Sequence, residues 1–418
     1  MRVLLLNTSD HAGGAAIAAL RLLRALRKGG VEAELLCRDR CLTAPEEGVE
    51  ALGCHALRKW PFLLERAGIF AANGLSRKGL FAVDTALFGT DVTRTEAFHR
   101  ADVVHLHWIN QGFVSLGGME RLLRSGKPVV WTMHDMWPFT GVCHQADTCE
   151  GWLARCGNCP ALRFPSANDL SASVFARKRQ VYASGRIAFV GCSKWIAGLA
   201  RKAPLCQGHE VTDIPNPIDT TFYAPAADPA DLRREMNLPA ERKLLLFTAF
   251  KVTDPNKGVD FLREALVHLC GERPGFKDKV GLLLAGQEAE KLRGTFPVPV
   301  YPLGYLTEET QMRRAYQAAD LMLMPTLMDN LPNTLIEAMA CGTPCVGFRV
   351  GGVPEIIDHG VNGYLARYRD SGDLGHGIVT TLFSASYASL CRNARAKAVG
   401  AYSEKAVAAR YLDLYRSL

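Results

Sequence analysis

The strongest constraint on this chain is a rhythm of short apolar runs alternating with helical stretches, which passes through the first half and restarts in the second. RVLLLNT opens it, residues 14–29 read as a helix, and VEAELLC follows as a second strand. DVVHLHW (102–108), KPVVWTMH (127–134) and RIAFVGC (186–192) continue the series. After the proline-rich turn IPNPID (214–219) come KLLLFTAF (243–250), VGLLLAG (280–286), VYPLGY (300–305), DLMLMP (320–325) and TPCVGF (343–348). Strands apolar on both faces suit a parallel sheet covered by helices. Two such arrays in 418 residues exceed one ordinary core. They predict an α/β protein of two doubly wound, Rossmann-like parallel-sheet domains, with ligands beyond the carboxyl ends of the strands and a site in the cleft between domains. Domain limits are expected at 1–212 and 213–400. The terminal stretch 401–418, AYSEKAVAARYLDLYRSL, has the spacing of a packing helix. Residues 42–100 give no clear parse.

No window holds the 18 to 20 or so apolar residues of a membrane-spanning helix. The start, MRVLLLNTSDHAGG, breaks into polar residues too soon for a signal peptide, and a cytoplasmic protein is expected. The net charge of +7 is spread without a long basic run, which fits anionic small molecules or an anionic membrane as well as nucleic acid. Arg21, Arg24, Arg27 and Lys28 share one arc of the first helix, as a solvated face or as peripheral contact with the membrane's inner face.

Thirteen cysteines are an odd number for a disulfide framework. Nine are scattered and read as reduced core thiols, Cys192 and Cys345 among them. The other four form an insertion over 143–160: Cys143, Cys149, Cys156 and Cys159, ending in C-x-x-C. That spacing suits a structural, tetrahedral zinc site, with disulfides or plain thiols as the alternatives and His144 as a competing ligand.

Several residues carry chemistry by position. Gly13 and Gly14 precede the first helix, where backbone can approach a phosphate. His134 and Asp135 end a strand, and Trp137, Pro138 and Phe139 beside them suggest a rigid aromatic pocket. Lys251 and Lys257 flank a turn after a buried strand and could clamp a diphosphate. In Asp329-NLPNTLI-Glu337 a loop leads into a helix from about Asn333 to Ala340, closed by Gly342. Asn330, Leu331, Asn333 and Thr334 offer backbone or side-chain donors there, whereas Pro332 has no N–H to give. Glu337 can accept from ribose hydroxyls and Asp329 from a hexose. Gly351 and Gly352 again permit close approach of a ligand. No D-x-D triplet is present to hold a divalent ion, so the lysines and helix dipoles are the available neutralisers.

Together these residues resemble the family-4 group of retaining glycosyltransferases with the GT-B fold. The match rests on Asp329-NLPNTLI-Glu337-AMACGTP, the lysine pair Lys251 and Lys257, and the strand-end His134. IPNPID is similar to that fold's interdomain linker, and YLDLYRSL to its closing helix, which crosses back onto the first domain. Asp329 stands where the family has Glu, Lys251 where Arg is commoner, and Pro332 and Asn333 in its glycine region. HDMWPFTG with the cysteine cluster resembles a subgroup linked to surface polysaccharide synthesis. The resemblance implies a UDP- or GDP-sugar donor on the C-terminal domain, with Glu337 on the ribose, Lys251 and Lys257 on the diphosphate and His134 by the sugar. It implies a glycan or lipid-linked acceptor near residues 9–20 and 105–115, no nucleic acid, no cofactor for catalysis beyond a structural zinc, and domain closure that excludes water. A GT-B nucleotide-sugar epimerase and a non-catalytic nucleotide-sugar-binding protein are the alternatives. A sugar phosphorylase would need a pyridoxal phosphate lysine motif, and none is evident.

Overall fold

A computed structural model describes residues 1–42, 46–52 and 55–418; residues 43–45 and 53–54 of the unparsed 42–100 stretch lie outside them. The chain divides into two compact units. Unit 1 is Met1–Pro217 with Val407–Leu418, and unit 2 is Ile218–Ala406.

Unit 1 is built on seven parallel strands: β1 (Arg2–Ser9), β2 (Glu32–Asp39), β3 (Val49–Ala51), β4 (Val103–Leu106), β5 (Val129–Met133), β6 (Ala188–Gly191) and β7 (Glu210–Asp213). Their order is β3-β2-β1-β4-β5-β6-β7. The two-faced burial is visible within β1. Leu4 and Leu6 enter one hydrophobic cluster, with Trp131 and Phe189. Val3 and Leu5 enter the other, against Leu22 and Leu26 of helix α1 (Gly14–Lys28). Val407, Tyr411, Leu414 and Tyr415 of the C-terminal helix (Glu404–Ser417) complete that second cluster.

Unit 2 has six parallel strands: β8 (Lys243–Lys251), β9 (Val280–Gln287), β10 (Val300–Gly304), β11 (Leu321–Met324), β12 (Cys345–Phe348) and β13 (Gly363–Ala366), ordered β10-β9-β8-β11-β12-β13. The α/β expectation of two doubly wound Rossmann-like domains therefore holds. The sequence reading missed β3, β7 and β13. It also left unread helix α2 (His55–Ala72), which occupies much of the unparsed stretch.

The basic arc of α1 is not a free cationic face. Arg21 is buried, and Arg24 and Arg27 pair with Glu46 and Glu47. Among the described residues no helix is long and apolar enough to cross a membrane.

Candidate functional site

In unit 2 the strand order reverses between β8 and β11, and the sequence-predicted residues gather at the carboxyl ends of these strands. β8 ends at Lys251. A short turn, Pro255–Lys257, then leads through Gly258 into a helix (Val259–Glu272), α3. Gly258 has φ 75°, and a Cβ there would lie 1.8 Å from the carbonyl oxygen of Pro325. Only glycine lets the β8 and β11 connections press together this closely. The Leu327 N–H donates to the Asn256 carbonyl at 2.8 Å across the same crossing. The result is an ion pair between Lys257 Nζ and Asp329 Oδ2 at 3.2 Å. A third connection braces Asp329 from behind: Gly351 has φ 54°, and a Cβ there would meet the Asp329 carbonyl at 1.9 Å. Gly351 was expected to admit a ligand; its close approach is instead to Asp329's own backbone.

Lys251 and Lys257 each have a separate carboxylate. Lys251 Nζ lies 3.3 Å from Glu288 Oε2. Glu288 follows β9 with φ 65°, and it also accepts from Lys291 Nζ at 2.7 Å and from the Thr253 hydroxyl. The Lys291 hydrogen bond, then Thr253 and Lys251, hold the Glu288 carboxyl down to about 2. Sequence reading overlooked Glu288. Its signal was Gly286, whose φ of 145° brings the chain within 1.9 Å of the Ala249 carbonyl for any added Cβ.

The helix predicted from Asn333 is α4 (Asn333–Ala340), which follows Pro332 without a side-chain cap. Glu337 is not the solvent-facing residue of a plain capped helix. It is 7% exposed, and Oε2 accepts a 2.6 Å hydrogen bond from the Tyr316 hydroxyl. Burial and the neighbouring Glu337 raise the Tyr316 hydroxyl far above its usual range, so it stays a donor. Tyr316 was not foreseen. Asn330, Asn333 and Thr334 are half-buried around the helix start and Leu331 is buried.

Unit 1 holds the remaining residues. Its strand order reverses between β1 and β4. Beyond β1, Gly13 (φ 90°) caps the 15-residue α1, with no side-chain cap and no acidic residue in the first turn. A Cβ on Gly13 or Gly14 would meet nothing within 4 Å. That open helix N-terminus favours an anion. Beyond β5, His134 Nε2 is 2.9 Å from His107 Nδ1. His107 in turn stacks on His105 with centroids 4.4 Å apart. His105 bonds the Tyr415 hydroxyl and the Thr132 hydroxyl, each at 2.7 Å, and Thr132 bonds the Tyr411 hydroxyl. Burial pushes His105 down to about 3 and His134 to about 4, and lowers His107 well below its usual value. All three are neutral near pH 7, so His134 works as a hydrogen-bonding group and not as a cation.

Asp135 accepts from His144 Nδ1 at 2.7 Å, Trp108 Nε1 at 2.8 Å and the Trp137 N–H at 2.9 Å. Burial opposes its charge, yet these partners keep the carboxyl below the usual range and draw His144 upward. Trp137, Pro138 and Phe139 do not wall an open pocket; they are buried core, and Trp137 Nε1 donates to the Asp84 carbonyl. Three buried polar atoms at the ends of β1 and β4 have no hydrogen-bond partner: His11 Nδ1, His107 Nε2 and Asn110 Nδ2. Such orphans call for an explanation, and a polar ligand supplies one.

The fold brings the four clustered cysteines together. Cys143, Cys149, Cys156 and Cys159 converge on one small cavity with Trp152 and Ser171, and all four are free thiols. Among the described residues no group of three or more His, Cys, Asp or Glu is placed to hold a metal ion. Burial pushes the free Cys143 thiol up to about 12 and that of Cys156 to about 11, and raises Cys159. His144, the competing ligand, is turned to Asp135.

Two family models match the chain: Glycosyltransferase Family 4 over residues 12–222 and Glycosyl transferases group 1 over residues 242–383. A protein of Escherichia coli (strain K12) whose name assigns it to colanic acid biosynthesis, glycosyl transferase WcaC, is 25% identical over 439 residues, covering 100% of each chain. D-inositol 3-phosphate glycosyltransferase 2 of Catenulispora acidiphila is 25% identical over 402 residues, covering 90% of this chain and 83% of its own. In fold, the chain is similar to Anabaena Alr3699/HepE crystallised with UDP, at TM-score 0.65 and 17% identity over 100% of both chains. It is similar also to sucrose-phosphate synthase of Thermosynechococcus elongatus, at TM-score 0.67 and 18% identity over 100% and 98%.

Proposed function

The chain belongs to glycosyltransferase family 4, and from that membership we propose that it moves a sugar from a UDP- or GDP-sugar to a glycan or lipid-linked acceptor with retention of anomeric configuration. The observation that carries the donor assignment is the buried carboxylate of Glu337, held by the Tyr316 hydroxyl on a helix that follows the Lys257–Asp329 pair. A buried carboxylate is costly unless hydrogen-bonded, and two adjacent ribose hydroxyls are well matched donors. The start of α4, at Asn330, Leu331, Asn333 and Thr334, binds the phosphate or sugar oxygens.

Lys257 and Lys251 leave Asp329 and Glu288 to meet the diphosphate, and they stabilise its charge as the bond to the sugar breaks. Asp329, so released, accepts from a hexose hydroxyl. Charge neutralisation is assigned to these lysines without a divalent ion. Neutral His134 is the hydrogen-bonding partner of the transferred sugar. The acceptor is assigned to unit 1, where His11, His107 and Asn110 present unpaired polar atoms and Gly13 and Gly14 open the α1 N-terminus.

Alr3699/HepE was crystallised with UDP and with UDP-glucose, which supports uracil as the first base to try. The relationship to WcaC, named for colanic acid biosynthesis, supports a part in polysaccharide synthesis; a place in the cytoplasm at the inner face of the membrane is part of the same proposal. Incubation with a panel of UDP- and GDP-sugars tests the reading. Release of free nucleotide with transfer or slow hydrolysis of the sugar is expected. Sugar isomerised without nucleotide release would establish the epimerase in its place.

A further inference from the structure

Helix α2 is charged on the inside and apolar on the outside. Glu65 is 1% exposed, and it accepts the backbone N–H groups of Thr85, Ala86, Leu87 and Phe88. Arg66, also buried, donates to the carbonyls of Leu80 and Val83 and pairs with Asp84 at 3.0 Å. These bonds fix the rotation of the helix about its axis. They also fold the 80–88 segment against it.

The rotation so fixed leaves Trp60, Leu63, Leu64, Ala67 and Ala71 exposed along one side, at helical spacing. Trp60 is 59% exposed, Leu63 50% and Leu64 46%. Two exposed rings widen the stripe at its glycines: Phe88 lies 3.6 Å from a Cβ built on Gly68, and Phe164 closes on Gly74. Scattered exposed apolar residues are ordinary, but a contiguous stripe of this kind marks an interaction surface.

Charge identifies what the surface meets. Between Glu50 and Asp91 the acidic residues are Glu65 and Asp84, and both are buried. Among the described residues of this stretch the exposed charges are Lys59 at the start of the stripe and Arg77 and Lys78 past its end. Lys78 also donates to the Leu162 carbonyl. An apolar stripe flanked in sequence by cations, with no exposed acidic residue among the described residues of 51–90, is complementary to an anionic lipid surface. With 18 residues and no membrane-spanning character, α2 would lie in the headgroup region and not cross it.

We propose that the outer face of α2, with Phe88 and Phe164, docks unit 1 on an anionic membrane surface. The inference is independent of the donor assignment, since none of its residues belongs to unit 2 or to the His134 cluster.

Co-sedimentation of the full chain with vesicles of phosphatidylcholine, alone or mixed with phosphatidylglycerol, tests it. The wild type should bind the mixed vesicles far better than the neutral ones, and less as salt rises. Leu63→Ser with Leu64→Ser should weaken binding roughly ten-fold or more, as two exposed leucines lose their insertion. Arg77→Gln with Lys78→Gln should weaken it about ten-fold on mixed vesicles and leave the neutral ones unchanged. Thermal unfolding and nucleotide release from a soluble UDP-sugar should match wild type in both. Trp60→Ser is the substitute if the leucine variant does not fold. Absence of wild-type binding to mixed vesicles, or binding that survives both variants, would overturn the proposal. So would a wild-type dimer that Leu63→Ser/Leu64→Ser dissociates without any vesicle binding, since the occupant would then be a second copy of the chain.

Discussion

Glu337→Ala removes transfer and weakens UDP binding by about 10²-fold or more. The size follows from the bonds the carboxylate makes. A hydrogen bond to a charged group contributes roughly 1.5–3 kcal/mol, and a ribose offers two hydroxyls, which gives about 3–6 kcal/mol. At about 1.4 kcal/mol per factor of ten that is at least two decades of affinity. The change also leaves the Tyr316 hydroxyl buried and unpaired, at roughly 1–3 kcal/mol of stability. Two further variants separate these effects. Glu337→Gln keeps an acceptor for Tyr316 and should fold normally while losing much of the affinity. Tyr316→Phe leaves the charge in place and should bind UDP within about ten-fold of wild type. Calorimetric titration with UDP, beside thermal unfolding, reads both. Wild-type turnover in Glu337→Ala would remove Glu337 from the donor site.

Lys257→Ala should lower kcat by about 10²–10³-fold with little change in the KM for donor. A cation placed where the diphosphate gains charge contributes mainly in the transition state, and removing one such group typically costs that much. Stability should scarcely move. The Lys257–Asp329 pair has side chains 33% and 22% exposed, and pairs near the surface contribute about 0–1 kcal/mol. A rise in KM alone would mean that Lys257 only binds the ground state. Lys251→Ala, at a side chain 49% exposed, should show the same pattern with a smaller loss.

What the sequence conveyed about this fold divides along physical lines. Strands buried on both faces are apolar throughout, and β1, β4, β5, β6, β8, β9, β11 and β12 were legible for that reason. The three strands missed, β3, β7 and β13, all lie at sheet edges. EVTD of β7 and VEA of β3 are largely half-buried there and carry polar residues that an inner strand would not tolerate. The α4 boundaries were legible because Pro332 and Gly342 punctuate both ends.

Partners distant in sequence were not legible. Asp329 answers Lys257 across 72 residues, and Tyr415 answers His105 across 310. The spacing was nonetheless informative: His105 in β4 and His107 just past its end are two residues apart and so share a face, and Tyr411 and Tyr415 are one helical turn apart. The four cysteines converge on one cavity, as their spacing suggests. Their burial favours the neutral thiol.

The donor site itself is tested most directly by amide deuterium exchange of the intact chain, with and without saturating UDP or GDP. Slowed exchange concentrated at residues 251–258, 288–291 and 329–337 is the predicted result, because those segments carry Lys251, Lys257, Glu288, Asp329 and Glu337. Protection confined to residues 1–217 by a nucleotide that binds would contradict the assignment.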